Sequence, residues 1–138
     1  MFFFNKKILQ PTHIEVRESS LHGRGVFTKT PIARGVLIER APLVFLSEEE
    51  KEQLKYTKLF NYYFLLGNSD KPAAFGFGFS AFYNHSPDAN AYYSFSRKRN
   101  TLNIYAYKNI AEGSEVTINY NGTPTDKSEV YFPQQHIE

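Results

Sequence analysis

The stretch Tyr83-Asn84-His85-Ser86-Pro87-Asp88-Ala89-Asn90 gathers polar side chains between aromatic-rich flanks, and it is the most chemically suggestive part of the chain. Asn, Ser, Pro and Asp make turns through side-chain-to-backbone hydrogen bonds, so an ordinary loop explains them equally well. His85 offers an imidazole that titrates near neutrality, but a lone histidine is more often structural, and nothing around it sets out a metal-ligand pattern. A second candidate is Glu112-Gly113-Ser114-Glu115-Val116-Thr117-Ile118-Asn119-Tyr120, a turn entering a strand that ends on a tyrosine hydroxyl. The third is Gly23-Arg24-Gly25, either a tight turn or a place where missing Cβ atoms let the backbone approach a ligand. Singly, each has a bland reading as turn or core.

The elements that would carry these residues are mostly short strands. Ile14 and Val16 alternate with charged residues, and Gly23-Arg24-Gly25 precedes Val26-Phe27. Val36 to Glu39 and Leu43 to Leu46 read as two further strands separated by Pro42. One helix has a clear start: Ser47 before Glu48-Glu49-Glu50 is a capping box, with acidic charge at the helix N-terminus. Tyr56, Leu59, Phe60 and Tyr63 then recur at helical spacing, although Tyr62-Tyr63-Phe64 could equally be a strand. Ala91 to Ser96 and Thr101 to Lys108 make a hairpin around Arg97-Lys98-Arg99-Asn100, with Leu102, Ile104 and Ala106 on one face and Asn103, Tyr105 and Tyr107 on the other. Val116, Ile118 and Tyr120 are expected to share a face. The fold class is mainly β, a β-rich α+β arrangement with one inserted helix.

Composition bounds the function. A chain of 138 residues fits one domain with its own core. It has no cysteine, so disulfides, a thiolate nucleophile and Cys-ligated zinc are excluded. A net charge of +2 argues against a dedicated phosphate-backbone binder. Thirteen Phe and ten Tyr suit a β-rich fold or an aromatic-lined pocket, and core packing alone could use them. The start Met1-Phe2-Phe3-Phe4-Asn5-Lys6-Lys7 is short and wrongly ordered for a signal peptide, and no apolar run approaches the roughly 20 residues of a membrane span. A soluble intracellular protein is expected, cytoplasmic, or nuclear if it acts on chromatin.

Taken in order, the three segments resemble the motif series of SET-domain protein-lysine methyltransferases. His22-Gly23-Arg24-Gly25-Val26-Phe27 resembles the first motif, Asn84-His85-Ser86 with Asn90 the second, and Glu115-Val116-Thr117 with Tyr120 the third. Gly78-Phe79-Ser80-Ala81-Phe82-Tyr83 is similar to the approach to the second motif in stand-alone viral and bacterial members. The resemblance runs from about His13 to Phe132 and implies a single SET domain over residues 1–138. The fold it implies has short strands in several small sheets, one inserted helix and a C-terminal pseudoknot that brings the Asn-His-Ser segment beside the tyrosine motif.

The same resemblance implies the chemistry. The cofactor would be S-adenosylmethionine, held by Asn84 and His85, with the turn of Gly23, Arg24 and Gly25 at its methionine end and Tyr131 stacking on adenine or lining the channel. Tyr120 takes the position of the catalytic tyrosine. The substrate would be a lysine on a protein or peptide, a histone tail or another cellular protein. Its amine must be neutral, and with a free lysine pKa of about 10.4 deprotonation at pH 7 costs roughly 4.6 kcal/mol. A desolvated channel and the nearby sulfonium both favour that neutral form. Tyr62 is a candidate channel wall, because Asn61-Tyr62-Tyr63-Phe64 resembles a stretch of the viral enzymes; Tyr107 is another, and core packing is the alternative for both. Ile118 stands where many relatives carry Phe or Tyr, and its lack of a hydroxyl suggests methylation beyond the first methyl.

Three features depart from the commoner pattern: Pro87 follows Ser86 where members with a post-SET zinc carry cysteine, Asn119 replaces an acidic residue, and Ile118 is aliphatic. No metal is expected, so the tail after Asn121 must close the site by packing. A catalytically silent SET-like interaction module is the main alternative. A nucleic-acid-binding β domain is a second, suggested by Arg97-Lys98-Arg99 with Tyr92, Tyr93 and Tyr105 and disfavoured by the charge balance. Homodimerisation stays open.

Overall fold

A computed structural model describes residues 7–66 and 72–130. Nine strands, one α-helix and two 3-10 turns follow one another through these residues. Strands β1 (Ile14–Glu18) and β2 (Arg24–Thr28) pair antiparallel, with Ile14 opposite Thr28 and Glu18 opposite Arg24. β3 (Leu37–Phe45) is the long central strand, followed by helix α1 (Glu48–Leu54) and a 3-10 turn at Lys58–Asn61. Then come β4 (Phe64–Leu65), β5 (Ala73–Gly76), a second 3-10 turn at Ser80–Phe82, and the two-residue strand β6 (Asn84–His85). The hairpin β7 (Ala91–Ser96) and β8 (Thr101–Ala106) leads to β9 (Glu115–Ile118).

The strands form two sheets, one ordered β1-β2-β9-β6 and the other β4-β5-β3-β8-β7. Ile14, Val26, Ile38, Leu102, Ile104, Val116 and Ile118 from both sheets fill one core, each at most 2 % exposed. β6 and β9 pair in parallel, Asn84 beside Thr117 and His85 beside Ile118. Neighbouring parallel strands need a long connection, and here it contains the whole β7–β8 hairpin. This crossing is the SET-type arrangement of small sheets that the resemblance implied.

Several local readings hold. The capping box is complete: Ser47 Oγ accepts from the Glu50 amide at 3.1 Å, and the Ser47 amide donates to Glu50 Oε1 at 2.8 Å. The hairpin registers Ala91 against Ala106 and Ser96 against Thr101, with Leu102, Ile104 and Ala106 turned inward. Asn100 takes φ +52° to close its turn.

Three readings are corrected. The helix stops at Leu54; Thr57 Oγ1 caps the Leu54 carbonyl at 2.9 Å, and of the aromatics beyond, Phe60 falls in the 3-10 turn, Phe64 in β4, and Tyr56, Tyr62 and Tyr63 in turn or irregular residues. Their helical spacing reflected packing of rings such as Phe60 on Tyr63, not a continuous helix. Pro42 does not separate two strands: β3 runs through it, pairing with β8 up to Pro42 and with β5 from Leu43. The proline sits where the ladder changes partner, so its missing N–H costs no bond. Tyr120 does not share the face of Val116 and Ile118, because β9 ends at Ile118 and the chain turns.

Candidate active site

Gly23 and Gly25 do different work. Gly23 adopts φ +45°, a left-handed conformation in which a side chain is strained, and a Cβ there would meet nothing within 4 Å. Gly25 lies in β2, where a Cβ would collide with the Glu115 carboxylate and lie 3.0 Å from Asn84 Nδ2. Its missing side chain therefore admits two of the protein's own groups, rather than only a ligand.

Those groups lock the three motifs together. Asn84 Nδ2 donates to the carbonyls of His22 at 3.0 Å and Arg24 at 3.2 Å and to Glu115 Oε1 at 2.7 Å. The second carboxylate oxygen of Glu115 accepts from Ser19 Oγ at 2.7 Å. A charge-assisted bond from a nearly buried amide thus ties the glycine turn, the Asn-His strand and β9 at one point. Asn90 repeats the device one step along: its Oδ1 accepts from the Thr117 amide at 2.9 Å and its Nδ2 donates to the Glu115 carbonyl at 2.9 Å.

Tyr120 emerges from this knot. Its amide donates to His85 Nδ1 at 3.0 Å, and its hydroxyl donates to the Tyr83 carbonyl at 2.7 Å. The two rings sit 5.2 Å apart. An accepting Nδ1 requires a neutral imidazole with its proton on Nε2, and burial pushes the His85 pKa down, which favours that form. Tyr120 keeps 39 % of its surface exposed while its hydroxyl turns inward. Burial of that hydroxyl, and then the Glu115 charge, raise its pKa to about 12. It is a neutral phenol whose proton is committed to the Tyr83 carbonyl.

Of the remaining candidates, Ile118 adjoins His85 while Tyr62 and Tyr107 lie on other elements. Ile118 is fully enclosed in the core, its strand neighbour being His85. Tyr62 caps the 3-10 turn at Lys58–Asn61 and is 45 % exposed. The Tyr107 ring meets Tyr92 edge-on at 6.4 Å and lies 6.0 Å from the Arg34 guanidinium, so it belongs to the Tyr92–Tyr105 stack on the hairpin's outer face. Tyr93, one of the tyrosines that suggested a nucleic-acid-binding face, packs on the core. Tyr131 lies outside the described residues. Among the described residues no three His, Cys, Asp or Glu side chains stand together as a metal site.

Asn119 has a role the sequence reading missed. It is 2 % exposed, donates from Nδ2 to the Asp126 carbonyl at 2.6 Å, and accepts at Oδ1 from the Asn121 amide at 3.0 Å. Asn121 donates in turn to the Ser128 carbonyl at 2.8 Å. These amides pin the chain that leaves the site, and a carboxylate could not donate as Asn119 does. Ser19 and Glu39 were missed too. Glu39 had a signal, since it alternates with Ala41 and Leu43 along β3, an inward phase that is unusual for a carboxylate.

Comparison with known proteins agrees with this architecture. Residues 23–121 match the SET domain family. The chain is 32 % identical over 108 residues to a histone-lysine N-methyltransferase of Schizosaccharomyces pombe specific for H3 lysine-37, covering 78 % of this chain and 72 % of that protein. It also superposes, with a TM-score of 0.65 and 30 % identity, on the crystal structure of a Plasmodium falciparum protein named as a candidate histone methyltransferase, covering 81 % of this chain and 95 % of that one. The chain belongs to the SET-domain family of protein-lysine methyltransferases. Among the described residues, no helix is long and apolar enough to cross a membrane.

Proposed function

We propose that this enzyme uses S-adenosylmethionine to methylate the side-chain amine of a histone lysine, with Tyr120 orienting the reaction. The observation that carries the reading is the convergence at Asn84, where one amide joins the glycine turn to β9 while the adjoining His85 holds the Tyr120 amide. The donor set suits such a cofactor. Asn84 leaves Oδ1 outside its clamp to accept from an ammonium group, and the backbone at Gly23 is open. When bound, the cofactor supplies an activated methyl on a sulfonium. The chain's own part is positioning: in-line displacement gains most from holding the reacting groups in line and from acceptors fixed where charge moves.

Tyr120 acts as a neutral hydroxyl and not as a base. The lysine amine must be neutral to attack, and a desolvated channel favours that form, with exposed Tyr62 as the candidate aromatic wall. A histone tail as substrate rests on the names of the two relatives, and a nuclear location goes with it.

Calorimetric titration with S-adenosylhomocysteine tests the pocket, and mass spectrometry of histone H3 peptides tests the transfer. Micromolar binding that is lost in Asn84→Ala, with methylated peptide from the native protein and a fall of about 100-fold in Tyr120→Phe, is expected. A folded protein that binds the cofactor product but methylates no lysine would return the chain to the silent-module reading.

A further inference from the structure

Glu39 is a carboxylate only 3 % exposed in the middle of β3, and no cation pairs with it among the described residues. Its neighbours are matched to it. Oε1 accepts from the Tyr83 hydroxyl at 2.8 Å, and Oε2 accepts from the Phe79 amide at 2.9 Å. Gly78, at φ +65°, leaves room for it; a Cβ there would stand 2.5 Å from Oε2. Burial raises the Glu39 carboxyl above its ordinary range, and the two hydrogen bonds only partly offset this. An apolar side chain beside a Phe at position 83 would fill the same space without that desolvation cost.

What the polar arrangement supplies is a fixed orientation. Tyr83 is 1 % exposed and is held at both ends: its hydroxyl by Glu39, its backbone carbonyl by the Tyr120 hydroxyl. The Tyr120 ring is likewise held, by His85 Nδ1 at its amide and by Tyr83 at its tip. Glu39 and Tyr83 are 44 residues apart in sequence, so this contact references the site to the second sheet.

We propose that Glu39 is a positioning residue for Tyr120: it fixes Tyr83 and the turn before it, so that the Tyr83 carbonyl holds the Tyr120 hydroxyl in its working orientation. The inference rests on the reading of Tyr120 as the orienting hydroxyl. Small displacements of such groups are costly to turnover, since a shift of about 1 Å can lower a rate by about 100-fold. Both carboxylate oxygens of Glu39 are committed to Tyr83 and Phe79, so it acts on Tyr120 through Tyr83.

The test is a double-mutant cycle read in two ways. Glu39→Gln, and Tyr83→Phe as the variant that keeps the ring in place, are each combined with Tyr120→Phe. In the native background each is expected to lower kcat by about tenfold with the peptide KM and the S-adenosylhomocysteine Kd within about twofold; in the Tyr120→Phe background neither should lower it further. The second reading needs no activity: with ¹³C-labelled tyrosine, the Tyr120 Cζ resonance, assigned by its absence in Tyr120→Phe, should shift on Glu39→Gln. An unmoved resonance overturns the proposal, as does the same fractional loss in both backgrounds. If the native protein methylates no lysine, the proposed function fails while the resonance still decides whether Glu39 sets the Tyr120 hydroxyl.

Discussion

Replacing Asn84 with aspartate exchanges one atom, the amide nitrogen for an oxygen, and should reverse the sign of the interaction at the centre of the site. The native amide donates to Glu115 Oε1 at 2.7 Å and to two backbone carbonyls. An isosteric carboxylate would face another carboxylate and two carbonyl dipoles at the same distances. With an effective dielectric of about 20, two charges at that separation repel by about 6 kcal/mol, and partial exposure of Glu115 reduces this to about 3 kcal/mol. Loss of the charge-assisted donor adds about 2 kcal/mol. Asn84→Ala suffers only the second effect, so Asn84→Asp should be the less stable of the two at pH 7 by about 3 kcal/mol. The introduced carboxyl relieves the repulsion by keeping its proton, which raises its folded pKa from about 3.9 to about 6. The folded state then binds a proton that the unfolded chain has released. The deficit relative to Asn84→Ala should therefore be absent near pH 4, grow as pH rises, and level off above about 6. Urea unfolding of both variants across pH 4 to 7.5 measures this directly. Equal stability of the two at every pH would refute the proposed geometry of the Asn84–Glu115 contact.

Two further outcomes follow from the same site. Gly25→Ala places a methyl on the Glu115 carboxylate and should destabilise the fold by about 2 kcal/mol while weakening S-adenosylhomocysteine binding at least tenfold; a normal melting temperature with normal binding would show the turn to be looser than described. Because the Tyr120 pKa is raised to about 12, methylation should keep rising with pH toward lysine deprotonation and show no falling limb near pH 10. A midpoint near the ordinary tyrosine value would mean the hydroxyl is solvated.

Much of the framework was legible because it is written in local patterns. The β7–β8 hairpin follows from strict alternation of Leu102, Ile104 and Ala106, and the start of α1 from the Ser47–Glu50 box. The motif residues were legible as a series, yet the bonds between them were not. Asn84 meets Arg24 across 60 residues and Glu115 across 31, and no periodicity encodes such a meeting. Pro42 misled because its cost depends on which neighbour the strand has at that residue. Tyr107 was legible as an outward-facing aromatic but not as a partner of Tyr92, since side chains on one sheet face pair according to cross-strand register.

The parallel meeting of β6 and β9 also has a kinetic meaning. A site assembled from residues near 20, 84 and 117 has no local precursor, so its loops must close before any of its bonds contributes stability. Topologies of this sort fold slowly, and the crossing should be among the last contacts to form. A molecule that binds there recognises only the chain in which β6 and β9 have met. Its binding free energy is therefore added to the stability of the whole domain, and at 100 times its Kd it would contribute about 2.7 kcal/mol. If the proposed methyl donor binds there, it would also act as a folding ligand, and its depletion would shorten the lifetime of the protein as well as slow its reaction.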